Sequence, residues 1–121
     1  MGFTVVISHG GQIGISMGYA ADKLCKSLER TDRPVIVDVR SKYEFKQAHI
    51  PGAIHLPFWL MPFRFRVLGE YRDRELVIYC EHGPRAVFAR QVLQSKGFAK
   101  AECLDGHMQA WRKAGLPTQS Q

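Results

Sequence analysis

Nowhere in this sequence do apolar residues run for the roughly 20 positions that a membrane-crossing helix needs. The longest apolar-rich stretch, Ile50 to Phe65, is broken by Pro51, Pro57 and Pro62 and carries His55 and Arg64. The amino-terminal segment MGFTVVISHGGQIG lacks a basic leader, a long apolar stretch and a small-residue cleavage site, so no signal peptide is expected. Cysteine is scarce: three residues, an odd number without framework spacing, argue against a disulfide-stapled secreted domain and for a reducing cytoplasm. Cys25, Cys80, Cys103 and His82 lack the paired short spacings of a zinc site, which excludes a metal on sequence grounds. Internal repeats are missing too, and the one biased segment is a polar tail, Thr118 to Gln121.

What remains suits a single globular domain. The 121 residues suffice for one real core and are too few for two ordinary ones; 45% are apolar and 23% charged. The net charge of +6 favours anionic partners. It does not point to nucleic acid, because Lys23, Lys42, Arg64, Arg72, Lys100 and Arg112 are scattered and mostly have acidic neighbours. Aromatics alternate with arginines in PFRFRVL, Pro62 to Leu68. A base-stacking platform would use such a pattern, but a loop with Phe63 and Phe65 tucked inward and Arg64 and Arg66 in water is the favoured reading.

Periodicity organises the chain. Ser16 precedes an apolar stripe at helical spacing, Met17, Ala21, Leu24, Cys25 and Leu28, closed by Asp32 to Pro34. VIVDV, Val35 to Val39, is β-branched and continuous, as in a strand buried on both faces of a parallel sheet. Ser41 and Glu44 form a capping box for a short helix in SKYEFKQA. HIPGAIHLP, His49 to Pro57, combines turn residues with a very short strand near Ala53 and Ile54. Leu76 to Tyr79 is another strand. A helix over Arg85 to Lys96 puts Ala89, Val92, Leu93 and Lys96 on one side and stops at Gly97. Ala101 to Leu104 is a last strand, and Met108 to Lys113 a last helix closed by Gly115 and Pro117. Strands alternating with helices at this spacing predict an open, mostly parallel α/β sheet covered on both faces, with ligands beyond the carboxyl ends of the strands. Asp38 and Cys80 stand at such ends.

The stretch LVIYCEHGPRA therefore holds the chemistry. A thiolate is the reactive form of cysteine, and helix amino termini and cations lower its pKa. Residues Glu81 to Arg85 turn directly into a helix, so free N–H groups converge above Cys80. Gly83 permits the positive φ that a tight turn requires. Pro84 suits the first helical turn, where its missing N–H has no partner to lose. Arg85 can offer a two-pronged contact to an oxyanion, while the charge of Glu81 opposes both thiolate and anionic substrate.

From about Ile15 to Pro117 the chain resembles a single-domain rhodanese, the thiosulfate sulfurtransferase family. Four motifs carry the resemblance in family order: VIVDVRSKYEF (Val35 to Phe45), HIPGAIHLP (His49 to Pro57), LVIYCEHGPRA (Leu76 to Ala86) and CLDGHMQAWRKAGLP (Cys103 to Pro117). The resemblance implies a rhodanese-like open five-stranded, mostly parallel sheet with helices on both faces. It implies Cys80 as catalytic nucleophile, a loop of Glu81, His82, Gly83, Pro84 and Arg85 whose amides cradle the sulfur, and Asp38 and Arg40 as structural ion-pair residues near the site. The implied reaction passes through a Cys80 persulfide, with thiosulfate or another sulfane-sulfur compound as donor and cyanide, a thiol or a protein cysteine as acceptor. It requires no metal or organic cofactor.

This places a rhodanese-like domain over residues 15–117, an amino-terminal extension over 1–14 and the tail over 118–121. In the extension, FTVVIS can add an edge strand, pair with another subunit or hang free, linked by HGGQIG. Two alternative functions differ in class. A non-catalytic binding module of this fold dispenses with the cysteine, and a protein-docked sulfur carrier would use the arginine-rich loop Phe58 to Leu68. Phosphatases and arsenate reductases place five residues between cysteine and arginine, and a histidine precedes the cysteine in the phosphatase pattern. Here EHGP gives four and Tyr79 precedes Cys80. Cys25 and Cys103 are expected in the core, His49 and Trp111 as packing anchors, and His82 as a solvated loop residue. His107 replaces the second glycine of the family's usual GG, so the last turn is expected to differ locally.

Overall fold

The computed structural model describes residues 4–7, 13–16 and 18–121. Two short strands, β1 (Thr4–Ile7) and β2 (Ile13–Ser16), pair antiparallel in a sheet of their own, with Thr4 opposite Ser16 and Ile7 opposite Ile13. Of FTVVIS, Thr4 to Ile7 thus form a strand paired with β2, which runs across residue 14. Of the HGGQIG linker, Ile13 and Gly14 belong to β2 and the rest lies outside the described residues, as does Met17.

The main sheet is parallel and has the order β4-β3-β5-β6, formed by β3 (Val35–Asp38), β4 (Ile54–His55), β5 (Leu76–Tyr79) and β6 (Ala101–Cys103). Among the described residues, four strands stand in this sheet where five were expected. The fifth position is reduced to one parallel bridge, Tyr19 to Leu104, beside β6. The Tyr19 N–H donates to the Cys103 carbonyl at 2.7 Å, and the Asp105 N–H to the Tyr19 carbonyl at 2.8 Å. This extended anchor also explains why the first helix, α1 (Ala21–Ser27), starts late: Ser16 lies in β2 and Ala20 is still extended. The helix also ends short of Asp32.

Alternation along the central strands divides the core into two layers. Val35, Val37, Leu76, Ile78 and Cys80 face one side, against α4 (Pro84–Ser95) and the buried Met61, Phe65 and Leu68. Ile36, Val77 and Tyr79 face the other, against α1 and α5 (His107–Lys113), where Met108 and Trp111 are buried. The continuous β-branched run of β3 is fully buried because both faces are covered. Trp111 is sealed in this layer, its indole N–H donating to the Pro117 carbonyl at 2.7 Å. His49 stacks on Phe45 with ring centroids 3.8 Å apart, and Gln119 pairs with its backbone, which ties the polar tail to the domain.

Between β4 and β5 lie short helical turns, Phe58–Leu60, α3 (Met61–Arg64) and Phe65–Tyr71. Helical spacing turns Met61, Phe65 and Leu68 inward and leaves Phe63 78% exposed, against the expectation that Phe63 tucks in with Phe65. Lys96 likewise projects from the buried face of α4 into solvent, with its ammonium over the Phe65 ring. Among the described residues no helix is long and apolar enough to cross a membrane.

Because β4 lies on one side of β3 and β5 on the other, the strand order reverses next to β3. Ligand crevices of open parallel sheets form outside the carboxyl ends of strands at such a reversal. Asp38 ends β3 there, and Cys80 follows β5 there.

Candidate active site

Cys80 leaves β5 fully buried, its sulfur at the floor of the loop that leads into α4. The loop bends sharply at Gly83, where φ is +135°, a value open to glycine and strained for any side chain. That bend aims the Gly83 N–H at the Cys80 sulfur, 3.0 Å away. Pro84 then opens the helix with its fixed φ and without a donor to leave unpaired. The Ala86 N–H, one turn on, also reaches the sulfur. Burial alone would push the thiol up. Hydrogen bonds from the His107 ring and from the N–H groups of Ala86 and Gly83 outweigh it, with the field of the same ring, and hold the thiol at about 7. A cysteine so held is about half thiolate at pH 7, far more than an ordinary thiol with its value of 9.0.

The rest of the loop is tied to its surroundings residue by residue. Glu81 faces away from the sulfur toward two arginines, accepting from Arg40 Nη1 at 3.3 Å, from Arg112 Nη1 at 3.1 Å and from Arg112 Nη2. The Arg112 guanidinium, with Arg40 behind it, holds the Glu81 carboxyl below the usual range. The charge expected to oppose a thiolate is therefore matched by two cations. His82 is exposed, with Nδ1 2.8 Å from Gln109 Oε1. Arg85 sends both prongs to Glu44, Nη1 to Oε1 at 2.7 Å and Nη2 to Oε2 at 2.9 Å. Glu44 is also the N3 residue of the capping box on α2 (Lys42–Gln47), donated to by the Ser41 N–H at 3.0 Å.

Beneath the loop, Asp38 and Arg40 form a buried ion pair. Arg40 Nη2 donates to Asp38 Oδ2 at 2.7 Å, and the Arg40 backbone N–H to Oδ1 at 2.9 Å. Arg40 Nη2 also donates to the Ala48 carbonyl at 2.6 Å. Through Glu81, Arg40 thus connects the end of β3 to the cysteine loop and, by Arg112, to α5. Tyr79 lies behind this network with the Arg40 guanidinium over its ring; burial, then the nearby Asp38 charge, pushes its phenol far up.

His107 is the site residue that sequence reasoning passed over. Its ring is buried, and its Nδ1 accepts the Cys80 backbone N–H at 3.3 Å. Its φ of +54° makes it the one non-glycine residue in the left-handed region among those described. The start of α5 is stitched to the loop by two further bonds, Met108 N–H to the Cys80 carbonyl at 3.0 Å and Gln109 N–H to the Glu81 carbonyl at 3.2 Å. The signal was present in the sequence as a histidine in a glycine position, but only the fold sets it against a residue 27 positions away. Of the other cysteines, Cys103 stays in the core, where burial pushes its thiol up to about 11, while Cys25, expected there too, is half-buried and packs against the second core layer from its edge.

The chain has known relatives. The family model described as Rhodanese-like domain matches residues 20–114. A protein named sulfurtransferase from Allochromatium vinosum is 35% identical over 97 residues, covering 80% of this chain and 89% of its own. A protein named thiosulfate sulfurtransferase GlpE from Vibrio cholerae is 33% identical over 85 residues, 70% of this chain and 78% of its own. The crystal structure of a rhodanese-related protein from Thermoplasma volcanium superposes with a TM-score of 0.76 at 23% identity, over 88% of this chain and 100% of that one, which shows the shared fold. With the family model over most of its length and sulfurtransferases among its relatives, the chain belongs to the rhodanese-like domain family.

Proposed function

We propose that this protein moves a sulfane sulfur from thiosulfate or a persulfide donor to a thiophilic acceptor through a persulfide on Cys80. One observation carries the reading: the Cys80 sulfur lies at the end of β5 under the N–H groups of Gly83 and Ala86, held at about 7. In the first step the thiolate attacks the outer sulfur of thiosulfate. The new S–S bond forms as the sulfur–sulfur bond of the donor breaks, and its electron pair leaves with sulfite. In the second step the acceptor attacks the outer sulfur of the persulfide, and the Cys80 thiolate departs with the electron pair of the S–S bond. Neither step needs a net proton transfer, since thiolate and sulfite carry their charge away unaided.

The loop residues divide the work in this reading. N–H groups at the amino end of the 12-residue α4 stabilise the anionic sulfur in the thiolate and in the persulfide. Glu81, His82, Gly83, Pro84 and Arg85 shape the cradle, and Asp38 and Arg40 brace it from below. Arg85 meets the donor anion in competition with Glu44. Four residues between Cys80 and Arg85 make a ring suited to a single sulfur atom, where phosphatases and arsenate reductases close a longer ring around a tetrahedral oxyanion. Cyanolysis of thiosulfate, run beside hydrolysis of an aryl phosphate, tests the choice. Mass spectrometry after thiosulfate exposure should find one added sulfur on Cys80, and none in Cys80→Ser. Aryl phosphate hydrolysis without any added sulfur would overturn it.

One observation favours a second reading, in which a protein cysteine is the acceptor or donor. The helical turns between β4 and β5 expose Phe63 and Val67 beside Arg64 and Arg66, an apolar and basic patch suited to an acidic partner. If Arg64→Ala with Arg66→Ala leaves transfer to protein thiols unchanged, docking at that patch is ruled out.

A further inference from the structure

We propose a second anion site at the end of the sheet opposite Cys80, a cavity between Arg33 and Arg74 that takes a small multivalent oxyanion such as phosphate or thiosulfate. The cavity, of about 260 Å³, lies where the amino ends of β3 and β4 meet the turn before β5, and Thr31, Arg33, Gly52, Tyr71 and Arg74 are among the residues lining it. β5 lies between Arg74 and Cys80, and its four residues alone separate the two places by roughly 13 Å. The site therefore stands apart from the cysteine loop and does not depend on the transferase reading.

Backbone, and no acid, holds the two arginines in place. Arg33 Nη1 donates to the Leu28 carbonyl at 2.9 Å, and Arg74 Nη2 donates to the Arg33 carbonyl, 41 residues away in the chain, at 2.6 Å. Arg74 also lies over the Tyr71 ring, 5.8 Å from its centroid. A guanidinium carries five N–H donors, so most of each fork is left for something else. Neither arginine forms an ion pair among the described residues. Of the acids nearby in sequence, Asp32 accepts from Arg30 Nε at 2.9 Å and from Arg30 Nη2 at 2.8 Å, and Glu70 bonds to the Tyr71 hydroxyl. Asp73 and Glu75 flank Arg74 in the chain without pairing with it.

Gly52 makes room for this arrangement. A β-carbon there would lie 2.3 Å from Arg33 Nη2 and 2.8 Å from Cζ, so any side chain at residue 52 would push the guanidinium off the turn. Its φ of +83° is likewise one that glycine adopts freely. Two like charges lining one concave surface focus a positive potential there, which a counter-ion relieves. The forks suit a tetrahedral oxyanion, to which guanidinium groups donate in charge-assisted, two-pronged fashion, and Thr31 adds a hydroxyl at the rim. The volume falls below the roughly 300 Å³ at which pockets for drug-sized ligands begin. A small anion fits it better than a nucleotide.

Nitrogen–proton NMR of the parent, titrated with sodium phosphate at constant ionic strength, provides the test. Saturable shifts are expected at the Nε–H groups of Arg33 and Arg74 and at the Gly52 amide. Arg74→Gln removes the more exposed fork, so the variant is expected to fold, and it should bind phosphate about tenfold more weakly. Shifts that grow linearly with phosphate, that chloride reproduces, or that saturate with equal affinity in Arg74→Gln would overturn the proposal. Thiosulfate titrated into Cys80→Ser, where residue 80 cannot take up sulfur, separates the two kinds of anion. Tighter binding of thiosulfate assigns the cavity to sulfur oxyanions, and tighter binding of phosphate assigns it to phosphoryl groups. The pH midpoint of Cys80 alkylation by iodoacetamide should be the same in the parent and in Arg74→Gln. A midpoint moved by that variant would show the arginines acting on the cysteine loop and would sink the claim of a separate site. If thiosulfate adds no sulfur to Cys80 while phosphate saturates the arginines, the transferase reading falls and this site stands.

Discussion

Arg85 and Glu44, 41 residues apart, form a parallel two-pronged ion pair that joins the first turn of α4 to the first turn of α2. The pair does two things at once. It fixes the helix whose amino end faces Cys80, and it occupies both prongs of the guanidinium that, in the proposed reaction, would meet the donor anion.

Removing either partner therefore has opposite effects on the donor. Arg85→Ala should raise the KM for thiosulfate by about tenfold, with a smaller change in kcat, as expected for loss of a charge-assisted contact. Glu44→Gln should lower that KM, because the fork is released. Steady-state cyanolysis distinguishes the two, and equal KM values in all three proteins would remove Arg85 from donor binding.

The same pair sets an acid limit on stability. Arg85 holds the Glu44 carboxyl at about 2, well below its ordinary 4.5, against the opposing effect of burial and with help from Ser41. A depressed carboxylate stabilises the fold fully above its ordinary value, and the contribution fades as pH falls from there through about 2. Solvent screening of this partly exposed pair limits it to on the order of 1–3 kcal/mol. Urea midpoints should drop between roughly pH 5 and pH 2 more steeply in the parent than in Glu44→Gln.

In the proposed reaction, the Cys80 thiol, lowered from 9.0 to about 7, would give persulfide formation its pH dependence. Thiolate accumulates as pH rises through 7, so the rate with excess thiosulfate should climb roughly tenfold from pH 6 to pH 8 and flatten above. The same shift stabilises the fold fully above 9, an effect lost as pH falls through 7. Cys80→Ser should abolish both the added sulfur and the turnover, whereas Cys25→Ala and Cys103→Ala should retain them. Stopped-flow rates and intact-mass spectra provide the check.

Much of this was legible in the sequence because it is local. The β-branched run of Val35 to Val39, the Ser41–Glu44 capping box and the passage from Leu76 to Pro84 each specify their structure within a few residues, and the cysteine loop lies inside one such passage. What was not legible depends on partners distant in the chain. Arg85 looked free because Glu44 belongs to another helix. Glu81 looked repulsive because Arg40 and Arg112 reach it only in the folded state. His107 looked like a departure from pattern because its partner, the Cys80 N–H, is brought to it by β5. Phe63 was misplaced for a different reason. Alternating Phe and Arg fits a period of two, whereas helical turns bury Met61, Phe65 and Leu68 at a spacing of three to four.

Gly83 tests the cradle directly. At φ +135° an alanine is strained, and its methyl group would press on His107 Nε2 at 3.3 Å. Gly83→Ala should lose about 1–3 kcal/mol of stability and slow persulfide formation on the order of tenfold as the amide turns off the sulfur. A urea melt and a single-turnover measurement separate the two losses.

Asp38 tests the floor beneath the loop. Its carboxylate has no solvent exposure, and Arg40, 2% exposed, directs its Nε, Nη2 and backbone N–H to it. Asp38→Asn leaves the shape nearly intact but strips the charge that balances a buried guanidinium. Glu81, farther away at 3.3 Å and shared with Arg112, cannot replace it. Breaking a buried pair in this way is expected to cost about 3–5 kcal/mol, far more than an exposed pair such as Arg30 with Asp32. Because Arg40 also carries Glu81, the loss should propagate to the loop and raise the alkylation midpoint of Cys80 in whatever fraction remains folded. A chemical melt of Asp38→Asn within 1 kcal/mol of the parent, taken here as roughly the value of a surface pair, would show that the network beneath Cys80 does not brace the loop.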